Sequence, residues 1–176
     1  MKPKPLEPMR IRPETEADHA GVRQVHLEAF GGAEEADLVD RLRDAGADKV
    51  ALVAEVSGVI AGQVLFSPVT VESSPDDSAA LGLAPLGVLP AHQRQGIGSA
   101  LTHAGLAACR DLGCGAVFVL GHPEYYPRFG FQPASDHGLW FANLGFRPAF
   151  MALELKPEAL AHLSGSVSYH PEFAGV

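Results

Sequence analysis

Between Leu86 and Leu101 the chain reads Leu-Gly-Val-Leu-Pro-Ala-His-Gln-Arg-Gln-Gly-Ile-Gly-Ser-Ala-Leu: an apolar run broken by Pro90, a polar loop, then apolar residues at helical spacing. A strand that passes through such a loop into a helix fixes the direction of both elements. Gly96 and Gly98 carry no Cβ, so a ligand can approach the backbone closely while the first free N–H groups of the helix point at it. A helix N-terminus of this kind attracts an anion, and Arg94 adds a cation.

Two phosphate-binding loops are excluded by residue type. A nucleoside triphosphate loop needs Lys followed by Ser or Thr after its last glycine, whereas Gly98 is followed by Ser99 and Ala100. A dinucleotide loop needs a third glycine where Leu101 stands, and an acidic residue ending the next strand, where Ala116–Leu120 has none.

The flanking segments read as short alternating elements. Pro3, Pro5 and Pro8 make residues 1–8 an extended arm. Met9–Arg12 alternates as a strand closed by Pro13, and Thr15 with Asp18 resembles a capping box opening a helix that runs to Phe30 and stops at Gly31-Gly32. A second helix is expected over Glu34–Ala45, followed by strands over Val50–Val56 and Val59–Val71 joined across Ser57-Gly58. Then come a buried strand over Ala79–Val88, a helix over Gly96–Leu112, a strand over Ala116–Leu120, a short helix over Pro123–Phe129 and a closing strand over Phe150–Leu155. The tail from Pro157 reads as a turn of helix followed by polar coil. The fold class is α+β: antiparallel hairpin strands precede a strand–helix–strand crossover. Residues 9–155 are expected to form one domain, with 156–176 packed on it as a tail.

Gln93-Arg-Gln-Gly96-Ile-Gly98 after Val88-Leu-Pro90 resembles the acyl-CoA loop of the GNAT superfamily of N-acetyltransferases. Glu124-Tyr-Tyr-Pro-Arg-Phe-Gly-Phe131 resembles the second signature of that family, and with the order of elements the resemblance covers about Met9 to Leu155. The tail Gly165-Ser-Val-Ser-Tyr169-His-Pro resembles the YhbS-like branch. The resemblance implies a mixed, mostly antiparallel central sheet with helices on both faces and a splayed strand pair for acyl-CoA. Backbone N–H groups of Arg94, Gln95, Gly96, Ile97, Gly98 and Ser99 would hold the CoA pyrophosphate. Leu86, Gly87 and Val88 would pair with the pantetheine amides as if with an added strand, and one of their N–H groups would polarise the thioester carbonyl. Tyr126, four residues before Gly130, matches the family's proton donor to the leaving thiolate, which leaves its neighbour Tyr125 to the core unless a slip of one residue exchanges the two. Acetyl-CoA is the implied co-substrate, with no metal.

The base that would take the amine proton is less defined. Many relatives carry a Glu on the strand before the loop, yet Leu81–Val88 holds no acid or His. Three routes stay open: Glu35 or its neighbour Glu34, His122 after the fifth predicted strand, or water alone. Trp140 is either a wall of the acceptor pocket or a packed core residue. The other histidines are scattered without metal-ligand spacing.

Composition closes off further classes. Thirteen Lys and Arg against 21 Asp and Glu give a net charge of −8, the wrong sign for nucleic-acid binding. The excess acid between Glu28 and Asp48 reads either as a solvated helix face or as a rim that attracts cationic amines. Two cysteines cannot make a disulfide framework, and no stretch has the length or flanks of a membrane span or secretion signal, so the expected location is the cytoplasm. The expected partner is a small-molecule or peptide amine, with the apolar run Phe141–Phe150 as a candidate homodimer face. The competing function is a CoA- or small-molecule-binding module without catalysis.

Overall fold

Alternation along the strands sends two sets of apolar side chains to opposite faces of one sheet, and helices cover both. The computed structural model describes residues 8–74, 80–142 and 148–176. Its elements are β1 (Met9–Pro13), α1 (His19–Phe30), α2 (Glu34–Asp44), β2 (Val50–Val56), β3 (Val59–Pro68), β4 (Thr70–Val71), β5 (Ala80–Val88), α3 (Ile97–Asp111), β6 (Ala116–Leu120), β7 (Gln132–Pro133), β8 (Leu139–Phe141), β9 (Phe150–Glu154) and β10 (Gly165–Ser168). Seven strands form the main sheet in the order β1-β2-β3-β5-β6-β9-β7, antiparallel except for β5 against β6. The fold is therefore the mixed α+β arrangement expected from the sequence.

On one face Val64, Phe66 and Leu83 pack with Ile97, Leu101 and Leu106 of α3. On the other, Val53 and Leu65 pack with Val22 of α1 and Leu38, Val39 and Leu42 of α2. Ahead of α1, a 3-10 turn over Glu16–Asp18 is held by the capping box of Thr15 and Asp18, whose carboxylate also accepts from Arg12 at 2.7 and 2.8 Å. That bidentate pair holds the Asp18 carboxyl well below the usual carboxylate range. Cys109 and Cys114 are free and buried, and burial pushes the Cys109 thiol up to about 12, which suits packing rather than reactivity.

Three expectations need correction. The run Val59–Val71 is two strands: β3 ends at Pro68, and Thr70–Val71 join a second sheet. Pro123–Phe129 is not a helix throughout; only Tyr126–Phe129 forms a 3-10 turn, after the Tyr125 and Tyr126 N–H groups both bond the His122 carbonyl. The tail is not coil. β10 is the middle strand of the second sheet, between β4 and β8, and fully buries Val167. With one apolar residue in Gly-Ser-Val-Ser, β10 has no periodicity to announce it. Of the candidate dimer run, Phe150 is a core residue stacked on Phe118, and 143–147 lie outside the described residues.

Candidate active site

The β5–β6 pairing lasts three residues, Ala80↔Ala116 to Gly82↔Phe118, and then the strands part. A bulge in β5 at Ala84-Pro85, opposite Leu65 of β3, turns its second half away, so the edge from Leu86 to Val88 has no strand paired to it on the β6 side. Strand geometry assigns the free groups. Leu89 N–H bonds Ala61 O of the β3 side at 2.8 Å, and a Cβ on Gly62 would stand 3.1 Å from Gly87 O. Gly87 and Leu89 therefore face β3, and by alternation Leu86 and Val88 present their N–H groups to the gap. Gln93 Nε2 donates to Val88 O at 3.0 Å, which occupies that carbonyl and ties the loop to the strand. Gly87 turns no donor to the gap.

Beyond β5 the loop enters α3 with Arg94 at φ 60° and Gly96 at φ 85°. A Cβ at Gly96 would meet nothing within 4 Å, so its glycine answers to backbone conformation and open approach. The N–H groups of Ile97, Gly98 and Ser99 lie in the first turn, where a helix has no internal acceptors for them. Gln95 folds its side chain back to Ala91 O at 3.3 Å.

The gap and this turn share a cleft of about 1460 Å³. Its wall includes Leu86, Val88, Arg94, Gly96, Ile97, Gly98, Ser99, Glu35, His122 and Tyr126; of the anticipated residues, Gly87 and Gln95 are not on it. Glu35 is half-buried on α2, whereas Glu34 and His122 are exposed and Glu34 is off the wall. Among the described residues of the wall, Glu35 supplies the one side-chain carboxylate, while Arg94 and Arg128 supply guanidinium groups. Much of the acidic stretch is engaged elsewhere: Asp37 pairs with Arg23 at 2.8 Å, and Asp40 with Arg23 at 2.9 and Arg43 at 2.8 Å.

Two tyrosines differ in placement. Tyr126 is 7% exposed, and burial, then Tyr125, pushes its phenol up to about 12. A Cβ on Gly121 would run into the Tyr126 ring, so the glycine after β6 admits it. Tyr125, expected in the core, is the less buried of the pair; its Oη lies 3.4 Å from Ser99 Oγ, and the Arg128 guanidinium sits 4.5 Å from its ring centroid. Sequence reading also missed Tyr169, His170 and Phe173 on the wall; of the two alternatives for Trp140, the wall is lined instead by its neighbour Phe141. Only the resemblance of the tail to one branch pointed there.

The model of the Acetyltransferase (GNAT) family matches residues 19–131. This chain belongs to the GNAT acetyltransferase family. It is similar to the uncharacterized N-acetyltransferase YhbS of Escherichia coli strain K12, 37% identical over 94% of this chain and 98% of that one. The crystal structure of Escherichia coli YhbS in complex with CoA superposes with a TM-score of 0.90 at 35% identity, covering 98% of this chain and 96% of the other. A GNAT acetyltransferase from Brucella melitensis, in complex with acetyl-CoA, gives 0.79 at 35% identity over 95% and 99%. The chain is thus a YhbS-like GNAT enzyme, an acyl-CoA-dependent acetyltransferase. Among the described residues no group of His, Cys, Asp and Glu could hold a metal, and no helix is long and apolar enough to cross a membrane.

Proposed function

We propose that this GNAT enzyme transfers the acetyl group of acetyl-CoA to a primary amine by direct attack of the amine nitrogen on the thioester carbonyl. The observation that carries the reading is the parting of β5 from β6, whose open edge at Leu86 and Val88 leads straight into the first turn of α3. A pantetheine arm fits such an edge as an added strand. The Leu86 and Val88 N–H groups serve its amides and the thioester oxygen, and the α3 turn with Arg94 serves the pyrophosphate.

In the reaction the C–N bond forms as the amine lone pair adds to the carbonyl carbon, placing charge on the oxygen that the β5 N–H group holds. Collapse breaks the C–S bond, and the thiolate takes the Tyr126 phenolic proton, which burial keeps on the ring until it is needed. The nitrogen loses its proton to water in the open cleft, and that proton restores Tyr126 through solvent. Glu35 attracts the acceptor through its positive charge, which favours amines that carry a further cationic group; the attacking nitrogen gives up its ammonium proton to water before its lone pair adds to the carbonyl.

Thiol release from acetyl-CoA, followed with a panel of monoamines, polyamines, amino sugars and peptide N-termini, tests the reading. Turnover with a cationic amine supports it; tight CoA binding with no turnover on any amine overturns it.

A further inference from the structure

β10 ends at Ser168, and the residue after it enters the main sheet. The Tyr169 hydroxyl lies 3.2 Å from Phe118 O of β6 and 3.5 Å from Leu83 O of β5, and the Leu120 N–H is directed at the same oxygen. Gly82↔Phe118 is the last pair of the parallel ladder. One step further, the ladder would join Leu120 N–H to Leu83 O. A phenol oxygen stands between those two groups instead.

The ring is as closely fitted as the hydroxyl. A Cβ on Gly82 would stand 2.9 Å from Tyr169 Cε1 and Cζ, so the last paired residue of β5 has no room for a side chain. Phe141 and Phe173 contact the ring edge-on, with centroids 5.6 and 4.9 Å away. Burial pushes the phenol far above its ordinary range, so it stays neutral and hydrogen-bonded. Tyr169 lines the same cleft as Leu83, Leu86, Leu120 and Tyr126. The gap between β5 and β6 thus has a wide end, at Val88 and α3, and a narrow end stopped by one uncharged aromatic ring.

We infer that Tyr169 is a specificity-determining residue: it forms the closed end of the acyl slot between β5 and β6 and restricts the enzyme to acetyl and other short acyl groups. The inference rests on the proposed acyl-CoA reading of that gap. With the thioester carbonyl on the Leu86 N–H, the acyl carbon chain points along β5 toward Leu83, and each added methylene carries it closer to the Tyr169 ring. Removing the ring lets a longer chain run into apolar space, where each newly buried methylene is worth roughly fourfold in affinity.

The test uses the full chain and needs no acceptor amine. Affinities of CoA, acetyl-CoA and hexanoyl-CoA are measured by calorimetry for the wild type, Tyr169→Phe and Tyr169→Leu. The expected result is that Tyr169→Leu raises the hexanoyl-to-acetyl affinity ratio at least about tenfold, by the same methylene arithmetic, while Tyr169→Phe, which keeps the ring, leaves the ratio near wild type. An unchanged ratio in Tyr169→Leu, with CoA still bound and cooperative unfolding retained, overturns the inference alone. Should Tyr169→Leu fail to fold, a wild-type or Tyr169→Phe protein that binds hexanoyl-CoA as tightly as acetyl-CoA overturns it, and one that rejects hexanoyl-CoA supports it. Failure of the wild type to bind any of the three overturns the acyl-CoA reading itself.

Discussion

His26 faces Gly87 edge to backbone: a Cβ on Gly87 would stand 2.8 Å from His26 Nδ1. The imidazole is fully buried, and its Nε2 lies 2.7 Å from Gln63 Oε1. Gln63 Nε2 donates in turn to Glu14 at 2.9 Å, which fixes the amide and makes Gln63 Oε1 the acceptor of the His26 Nε2 proton. Nδ1 is left as a lone pair with no hydrogen-bond partner among the described residues. The strand that offers its N–H groups to the cleft is therefore backed by a histidine that leaves no space for a side chain.

Replacing Gly87 by Ala should be destabilising by about 1–3 kcal/mol, the usual range for an overpacked core. Denaturant unfolding checks it. Combining Gly87→Ala with His26→Ala should recover part of the loss, because the smaller residue removes the ring that the new methyl meets.

His26 should also impose a pH dependence on stability. Burial lowers its pKa below the ordinary 6.5, so the unfolded chain binds the proton more readily than the folded one. Stability from this group is fully present above pH 6.5 and falls as the pH drops below that value toward the folded pKa. Unfolding free energies measured from pH 7.5 to 5 should show this decline, and His26→Gln should flatten it.

Tyr126→Phe should lower the acetyl-transfer rate at least about tenfold, at the lower end for loss of a general acid, with little change in CoA affinity. With the phenol raised to about 12, the wild-type rate should show no loss of the donor form up to pH 10. Steady-state rates across pH 7–10 for both proteins test the two statements together.

Gly96→Pro should abolish CoA binding, because the ring fixes φ near about −65° where the loop needs 85°. Calorimetry reads it directly. Arg94→Gln, which leaves the backbone donors in place, should weaken CoA binding by about three- to tenfold and reduce its dependence on salt.

Most of the architecture was legible because it rests on patterns longer than a turn. The apolar spacing from Ile97 to Asp111, the hairpin across Ser57-Gly58 and the strand–loop–helix at Leu86–Leu101 each carry their signal locally. The bulge at Ala84-Pro85 was not visible, since an extra residue in a strand shows only against its partner's register. Nor was the placement of Tyr125 on the cleft beside Tyr126: it stands just before the 3-10 turn that Tyr126 opens, and the direction of each side chain follows from the detail of that turn. His26 appeared as one more helix-face histidine, because the gap that receives it is made by Gly87, 61 positions later. The tail carried the least signal and holds the residue at the narrow end of the cleft.

Because β10 threads between Thr70–Val71 and Leu139–Phe141, the closed end of the slot is assembled from stretches that leave the ribosome at widely separated times. The glycine-bearing loop and α3 emerge well before Tyr169 does. Until residues 165–168 emerge, Thr70–Val71 and Leu139–Phe141 have no β10 to pair with, and unfilled strand edges invite pairing with other chains. Docking of residues 165–168 fills both of those edges, and Tyr169, directly behind them, bridges Leu83 O of β5 and Phe118 O of β6, so one short tail segment both joins the second sheet and ties the two main-sheet strands where they part.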